Sequence, residues 1–449
     1  MSNNNESIIG IDFGTSTTCF ALLKNNEVNI ITDYDSKERI IPSIICFSEE
    51  EEDECLIGIL AENHMIEYPN STIFENKRLI GKKYDEIKEY IKRSNVEIIN
   101  KDNKPQYKIN NNGKEEYFCP EDICTKIFEY IKKSIKENEK KEIKKAILTV
   151  PNCFNLEQRE TIKKSAEKGG LEIINIFNES TAAGIGYGCI HKSNKEKIIL
   201  IFDLGGGFFN ISILKIKGNK FTILACEGKE NIGGEDFNIK LMNYILPQIK
   251  EQFPNVESDP RILLEIKKEC EKNKIQLSTY NKAKFEIKLD RKTKFSKIIG
   301  VENFEQLCNE LWEKCFELID DSFKKINLEK EKIDEIILVG SSSRIPQVQK
   351  KLKNHFQNKI PILQNINIDE IVAQGAAFCG NRNLIIEEDD NKKITEKIEE
   401  NKLKIKDNVN NININNKDKT QEDNLSYLLY RWLCAVDCLH CSGSRKLLL

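Results

Sequence analysis

Apolar and polar positions along this chain follow two rhythms: short β-branched runs that stop at glycine, and longer stretches spaced like one face of a helix. The clearest run, Ile198-Ile199-Leu200-Ile201-Phe202, ends in Asp203 and the triplet Gly205, Gly206 and Gly207. Alternation then resumes through Phe209, Ile211, Ile213 and Ile216. That order predicts strand, tight turn, strand. The start of the chain repeats it with Ile8 to Ile11, then Asp12-Phe13-Gly14-Thr15-Ser16, then alternating Phe20 and Leu22 and a turn at Asn25-Asn26. Each copy runs apolar strand, aspartate, bulky residue, glycine, small residues, second strand. Two such hairpins in one chain predict a duplicated α/β lobe with both carboxylates facing a shared cleft.

The remaining pattern alternates helix and strand, as crossover connections do. Residues 40–45 read as a strand with Pro42 at its edge, and 49–54 as a solvated acidic turn. In Phe74 to Gly81, FENKRLIG, two readings stay open: a surface helix, or a lysine, Lys77, that reaches a bound anion. Residues 120–141 predict an amphipathic helix with Ile123, Ile127, Tyr130 and Ile131 on one face. A strand over 146–150 stops at Pro151, a helix over 156–168 stops at Gly169-Gly170, and another strand covers 171–177. The stretch NESTAAGIGYG that follows is a helix whose alanines and glycines admit a second backbone, with Glu179 just ahead of it. Helices from about 238, over 261–279 and over 304–325, a strand at 336–339 and a small-residue helix at 369–378 complete the series.

Composition narrows the class. A chain of 449 residues, 39% hydrophobic and 31% charged, can bury the cores of two or three soluble domains. Its net charge of -3 supplies no basic field for nucleic acid or a membrane surface. Fifteen cysteines are scattered singly, several in apolar runs (Cys46, Cys189, Cys226), which predicts buried reduced thiols. The opening MSNNNES has no basic segment ahead of an apolar core, and no apolar run is long enough to span a bilayer. The expectation is a cytoplasmic or nuclear protein.

Glycine amides can wrap an anion, and an aspartate at a strand end can hold a metal or its waters. Asp12 and Asp203 beside the two glycine turns therefore suit a phosphate chain with its cation. Lys77 is a compact donor on a long stem, suited to a terminal phosphate or its attacking water. Glu179, at a strand-to-helix corner, can orient water or simply charge a helix N-terminus. Gly340-Ser341-Ser342-Ser343-Arg344-Ile345-Pro346 offers an anion site at another helix start.

The ordered set GIDFGTST, NKRLIG, LTVPNCFN, NESTAAGIGYG, DLGGGFFNISIL, IGGEDF and ILVGSSSRIP resembles the nucleotide-binding domain of the seventy-kilodalton heat-shock chaperones, over about residues 7 to 380. The resemblance implies a two-lobed actin-like ATPase fold of duplicated ribonuclease-H-like lobes. The first lobe would cover about 7–190 and the second about 191–380, within a nucleotide-binding domain of 1–383, with ATP or ADP, Mg2+ and K+ in the cleft. It implies phosphate contacts from Gly14, Thr15 and Ser16 and from Gly205, Gly206 and Gly207, and Asp12 and Asp203 around magnesium, its waters and potassium. Lys77 and Glu179 would place and polarise the attacking water. Glu271, Lys274 and Ser278 would hold ribose and adenine, Gly340 and Arg344 would clamp adenine, and Pro151 and Arg159 would couple nucleotide state to a neighbouring domain. Co-chaperones and nucleotide exchange factors are the implied partners.

The chain departs from that family pattern at named positions. Phe208 stands for a threonine and Asn210 for an aspartate, removing a hydroxyl and one cation-binding charge. Ser341 replaces a glycine, Asn238 an aspartate, and Ile275 one of two cations that sandwich adenine. Loss of that cation–π contact costs about 0.5–2 kcal/mol, roughly three- to thirty-fold in affinity. Beyond Leu384-Ile385-Ile386, the Asn/Lys-rich run 384–449 predicts a disordered tail with a short apolar end. No peptide-holding β-sandwich can be built from it, so clamping of unfolded clients is not expected. Cys434, Cys438, His440 and Cys441 lack a second ligand pair and argue little for zinc. Two functions stay open: an ATP-binding chaperone-type protein with slow hydrolysis, and a non-hydrolysing nucleotide-dependent module that engages co-chaperones or exchange factors. A sugar kinase ranks behind both because no substrate-base aspartate can be nominated.

Overall fold

Two mixed sheets carry the fold, and they share one strand order. In the computed structural model, which describes residues 7–48, 55–111, 114–254, 256, 259–289, 293–363, 366–381 and 383–389, the first sheet runs Glu172–Asn178, Lys145–Val150, Ile8–Phe13, Thr17–Lys24, Glu27–Ile30. The short strand Ile40–Pro42 pairs with Thr17–Lys24. The second sheet runs Ile362–Leu363, Glu335–Val339, Lys197–Leu204, Phe208–Lys217, Lys220–Glu230, Ile385–Glu388. In each, the aspartate-bearing strand has a parallel neighbour on one side and its antiparallel hairpin partner on the other. The predicted duplication is thus present in the topology. Strands covered on both faces read as unbroken apolar runs, and Ile199, Leu200, Ile201 and Phe202 are fully buried. Asn25 and Asn26 both take positive φ, as a two-residue hairpin turn of matching twist requires.

Two helices lie between the sheets. Glu179–Ile190 sets Ala182, Ala183 and Ile185 in one core with Ile199, Ile201 and Leu214 of the second sheet. Ile371–Phe378 sets Ala373, Ala376 and Ala377 against Ile8, Cys19, Ala21 and Ile147 of the first. The helix that follows the first sheet's last strand therefore packs on the second sheet, and the late helix packs back on the first. Their backbones meet at Gly186 and Gly375, and a Cβ on Gly375 would lie 1.8 Å from the Ala182 carbonyl oxygen. The Ala/Gly pattern of NESTAAGIGYG anticipated such an approach.

Several boundaries differ from the sequence expectation, each for a local reason. The helix expected from about 238 is Gly234–Gln252. Its first amides, on Gly234 and Glu235, donate to the carbonyls of Gly205 and Gly206 at 2.9 and 2.8 Å, which supplies partners that a helix start otherwise lacks. The single helix expected over 304–325 is two, Val301–Leu307 and Asn309–Lys325. They break at Cys308, whose carbonyl accepts the Leu311 and Trp312 amides and restarts the ladder. The strand expected over 40–45 is split into Ile40–Pro42 and Ile45–Cys46, because the Ser43 amide turns aside to the Ser16 carbonyl. Asn76–Leu79 is a buried 3-10 turn, not a surface helix. The hairpin Lys282–Lys288 with Lys294–Gly300 and the three-stranded sheet Glu97–Lys101, Lys104–Asn111, Lys114–Phe118 had no clear sequence signal.

Residues 385–388, assigned from sequence to the start of the disordered tail, instead extend the second sheet as a parallel edge strand in register with Lys220 to Ile223, because Ile386 packs against that sheet's apolar core. The twelve cysteines among the described residues are free thiols, buried or half-buried. Among those residues no helix is long and apolar enough to cross a membrane. The acidic turn at 49–54, the tail beyond 389 and the Cys434, Cys438, His440 and Cys441 cluster lie outside the described residues.

Gly375→Ala is expected to lower stability by about 1–3 kcal/mol, the usual cost of overpacking, read as a shift in the urea unfolding midpoint. An unchanged midpoint would contradict the close helix contact.

Candidate functional site

The hairpin turns of the two sheets meet and form a cleft. Asp12 and Asp203 sit at the ends of the central strands, and each turn is closed by its own backbone, Gly14 N–H to Thr17 O at 2.9 Å and Gly205 N–H to Phe208 O at 3.1 Å. At their meeting point a Cβ on Gly206 would lie 2.1 Å from Ser16 Oγ, so a side chain at 206 would displace the Ser16 hydroxyl. The cavity they enclose measures about 340 Å³. Its wall includes Asp12, Gly14, Thr15, Ser16, Glu179, Asp203 and the glycines 205 to 207, and from the second lobe Glu271, Lys274 and Gly340. Twelve of the fifteen predicted site residues thus converge.

Lys77, Ser278 and Arg344 are not on that wall. Lys77 is 2% exposed and stands just behind it: its ammonium donates to the Phe13 carbonyl and pairs with Glu179 Oε1. Ser278 spends its hydroxyl on the Lys274 carbonyl at 3.1 Å. Arg344 touches the wall through Asp369, which it grips with both terminal nitrogens at 3.0 and 2.6 Å and which Ser341 Oγ also bonds at 2.7 Å. Ile275, at the position where a cation was missed, is 58% exposed. Asn238 donates to Glu271 and Glu235 while its own Oδ1 is buried without a partner.

One ammonium thus faces three carboxylates. Burial pushes Asp12 up to about 7, with the Glu179 charge adding to the effect and Lys77 opposing it. Burial likewise raises Asp203 well above the carboxylate range, again with Glu179 behind it. Asn210 Nδ2 donates to Glu179 Oε2 and to Asp203 Oδ2, each at 3.0 Å, and Asn210 Oδ1 accepts the Asn152 amide at 2.9 Å. Asn152 in turn donates Nδ2 to the carbonyls of Ile211 and Glu227 at 2.8 and 2.9 Å, tying the loop after Pro151 to the second sheet. Arg159 holds the Phe154 carbonyl at 2.9 Å on that same loop. Phe208, 4% exposed, leaves the second sheet's turn and enters the first lobe's core, edge-on to Phe154 at 5.7 Å between centroids.

The cleft is bridged by charges. Arg78 donates to both oxygens of Asp236 at 3.1 and 2.9 Å and to Asn231 at 3.0 Å. Glu75 is buried among Lys267, Arg78 and Arg93, and the Lys267 ammonium lies 3.7 Å from the centre of the Phe74 ring. Burial alone would raise Glu75, but Lys267, then Arg78 and Arg93, pull it down to about 2. Sequence reasoning missed Asn152, Glu75, Arg78, Asp236 and Lys267. NKRLIG and IGGEDF contain two of them, Arg78 and Asp236, yet the pairing spans 158 positions and no spacing rule reveals it.

A family model described as Hsp70 protein matches residues 8–395 of the chain.

Glu75 contributes stability that is fully present above its ordinary value of 4.5 and is lost as pH falls towards 2. Glu75→Gln is expected to cost about 3–5 kcal/mol at neutral pH, as breaking a buried ion pair does, and to flatten the decline between those two pH values. Urea unfolding at a series of pH values measures both.

Proposed function

The chain belongs to the Hsp70 family, and from that premise we propose that its cleft binds ATP or ADP with Mg2+ and hydrolyses ATP slowly. Nucleotide binding and a chaperone role are general to the family; the residue assignments and the rate are our reading. We take the nucleotide-binding domain to run past the sequence boundary at 383 to residue 389, since the strand over 385–388 belongs to the second sheet, with lobes of about 7–190 and 191–389. The observation that carries the reading is the buried Lys77–Glu179 pair, close enough to Asp12 and Asp203 to act on the charge of both, beside the cavity where the two glycine turns meet.

In this reading the amides of Gly14, Thr15 and Ser16 and of the glycines 205 to 207 bind phosphates, since no Cβ bars the glycines. Two acids raised by burial and by the Glu179 charge have only the shared Lys77 ammonium against them, so the donor set fits a divalent cation at Asp12 and Asp203. Among the described residues no group of three His, Cys, Asp or Glu side chains is set for a metal; waters and phosphate oxygens would fill the remaining positions. Magnesium, when bound, neutralises phosphate charge. Lys77 holds Glu179 in place, and Glu179 orients the attacking water. Glu271 and Lys274 face the ribose side. Arg344 steadies the adenine side through Asp369, with Gly340 giving backbone access and Ser278 bracing the helix. Co-chaperones and exchange factors are the proposed partners.

A second reading, a nucleotide-binding module that does not hydrolyse, draws on Phe208. An aromatic ring seated in the neighbouring lobe's core replaces a hydroxyl at the phosphate turn.

A single-turnover assay of the full chain with radiolabelled ATP separates the two. We expect bound ATP to convert slowly to ADP, Lys77→Ala to retain ATP with conversion reduced about 100-fold or more, and Phe208→Thr to speed conversion. ATP that is retained and persists unchanged in the native chain favours the second reading.

A further inference from the structure

The resemblance brings potassium into this cleft, and the residues present do not suit it. Between the Glu179 and Asp203 carboxylates stands the Asn210 amide nitrogen, 3.0 Å from an oxygen of each. A monovalent cation needs oxygen ligands, and the only side-chain oxygen of Asn210 is engaged elsewhere, by the Asn152 N–H. The amide cannot be reversed. Turned over, its NH2 would oppose the Asn152 N–H and its oxygen would oppose two carboxylates, so the surrounding partners fix which end is which. The Asn152 side chain is itself held, from Nδ2 to Ile211 O, Glu227 O and Ser180 Oγ and at Oδ1 by Ser180 Oγ at 3.0 Å. The amide is therefore pinned from behind, with both of its hydrogens directed at acids.

That arrangement does electrostatically what a bound cation would do. Two N–H dipoles sit between carboxylates that otherwise repel, and in a buried site such donors act strongly because no water competes. Glu179 gains as well: Lys77 holds one of its oxygens and Asn210 the other, which fixes the plane of the carboxylate.

Resting on the nucleotide-binding reading, we infer that the Asn210 amide takes the place of a monovalent cation, so that nucleotide binding here requires magnesium and no potassium. Asn210 is a positioning residue. An aspartate at 210 would keep the bond from Asn152 but turn a second, charged oxygen towards Glu179 and Asp203, creating the cation requirement that the amide removes.

The test is calorimetric titration of the full chain with ADP and Mg2+ in potassium chloride, sodium chloride and choline chloride of equal ionic strength. The native chain is expected to bind within about twofold across the three salts. Asn210→Asp is expected to bind at least tenfold more weakly in choline than in potassium, a cation dependence that a merely structural lesion would not create. Native affinity that falls tenfold without potassium overturns the inference alone, as does an Asn210→Asp chain indifferent to the salt. Absence of ADP binding in every salt overturns the nucleotide reading and this inference with it. Thermal melting verifies the fold of the variant; if it does not fold, the native salt series decides.

Discussion

Everything in the cleft depends on a charge imbalance: Asp12, Glu179 and Asp203 share one neighbouring ammonium, that of Lys77. Buried acids in such excess either take up protons or recruit positive charge. The chain answers locally with the Lys77 pair and the Asn210 amide, and leaves Asp12 and Asp203 raised, in want of a cation. The fold exists to hold these groups against their repulsion. Two sheets with the same strand order bring one aspartate each to a common edge, and the helix that begins at Glu179 delivers the third acid.

Holding the sheets in that relation falls to contacts that no single lobe contains. The Glu179–Ile190 and Ile371–Phe378 helices cross at Ala182 and Gly375, and their cores are exchanged between the sheets. On the other side of the cleft Arg78, Asp236, Glu75 and Lys267 bind the lobes through charge. One connection is apolar, tight and indifferent to salt. The other is ionic, though buried enough to escape most screening. The nucleotide cavity lies between them.

Much of this was legible in the sequence. The duplicated hairpins, the small-residue helix and both glycine turns are patterns of period and composition, and such patterns are local. Family likeness then named the polar groups and glycines at the centre of the cavity wall. Of the two readings of Lys77, burial removes the surface helix: its segment is a buried 3-10 turn and its ammonium pairs with Glu179. What escaped was non-local: Asn152 reaching Asn210, Arg78 reaching Asp236, and Glu75 set among three cations. Helix boundaries failed for the same reason. The Gly234–Gln252 helix starts where it does because carbonyls of the glycine triplet receive its first amides, and nothing near residue 234 in sequence announces that.

Phe208 belongs by sequence to one lobe and by packing to the other. Any parting of the lobes that draws it out wets its ring. An aromatic side chain buries about 150–250 Å², and hydrating that area raises heat capacity by about 0.1 kcal/mol/K. Opening of the cleft therefore carries a calorimetric signature of its own, and the rate of ligand escape bends away from Arrhenius behaviour as temperature rises.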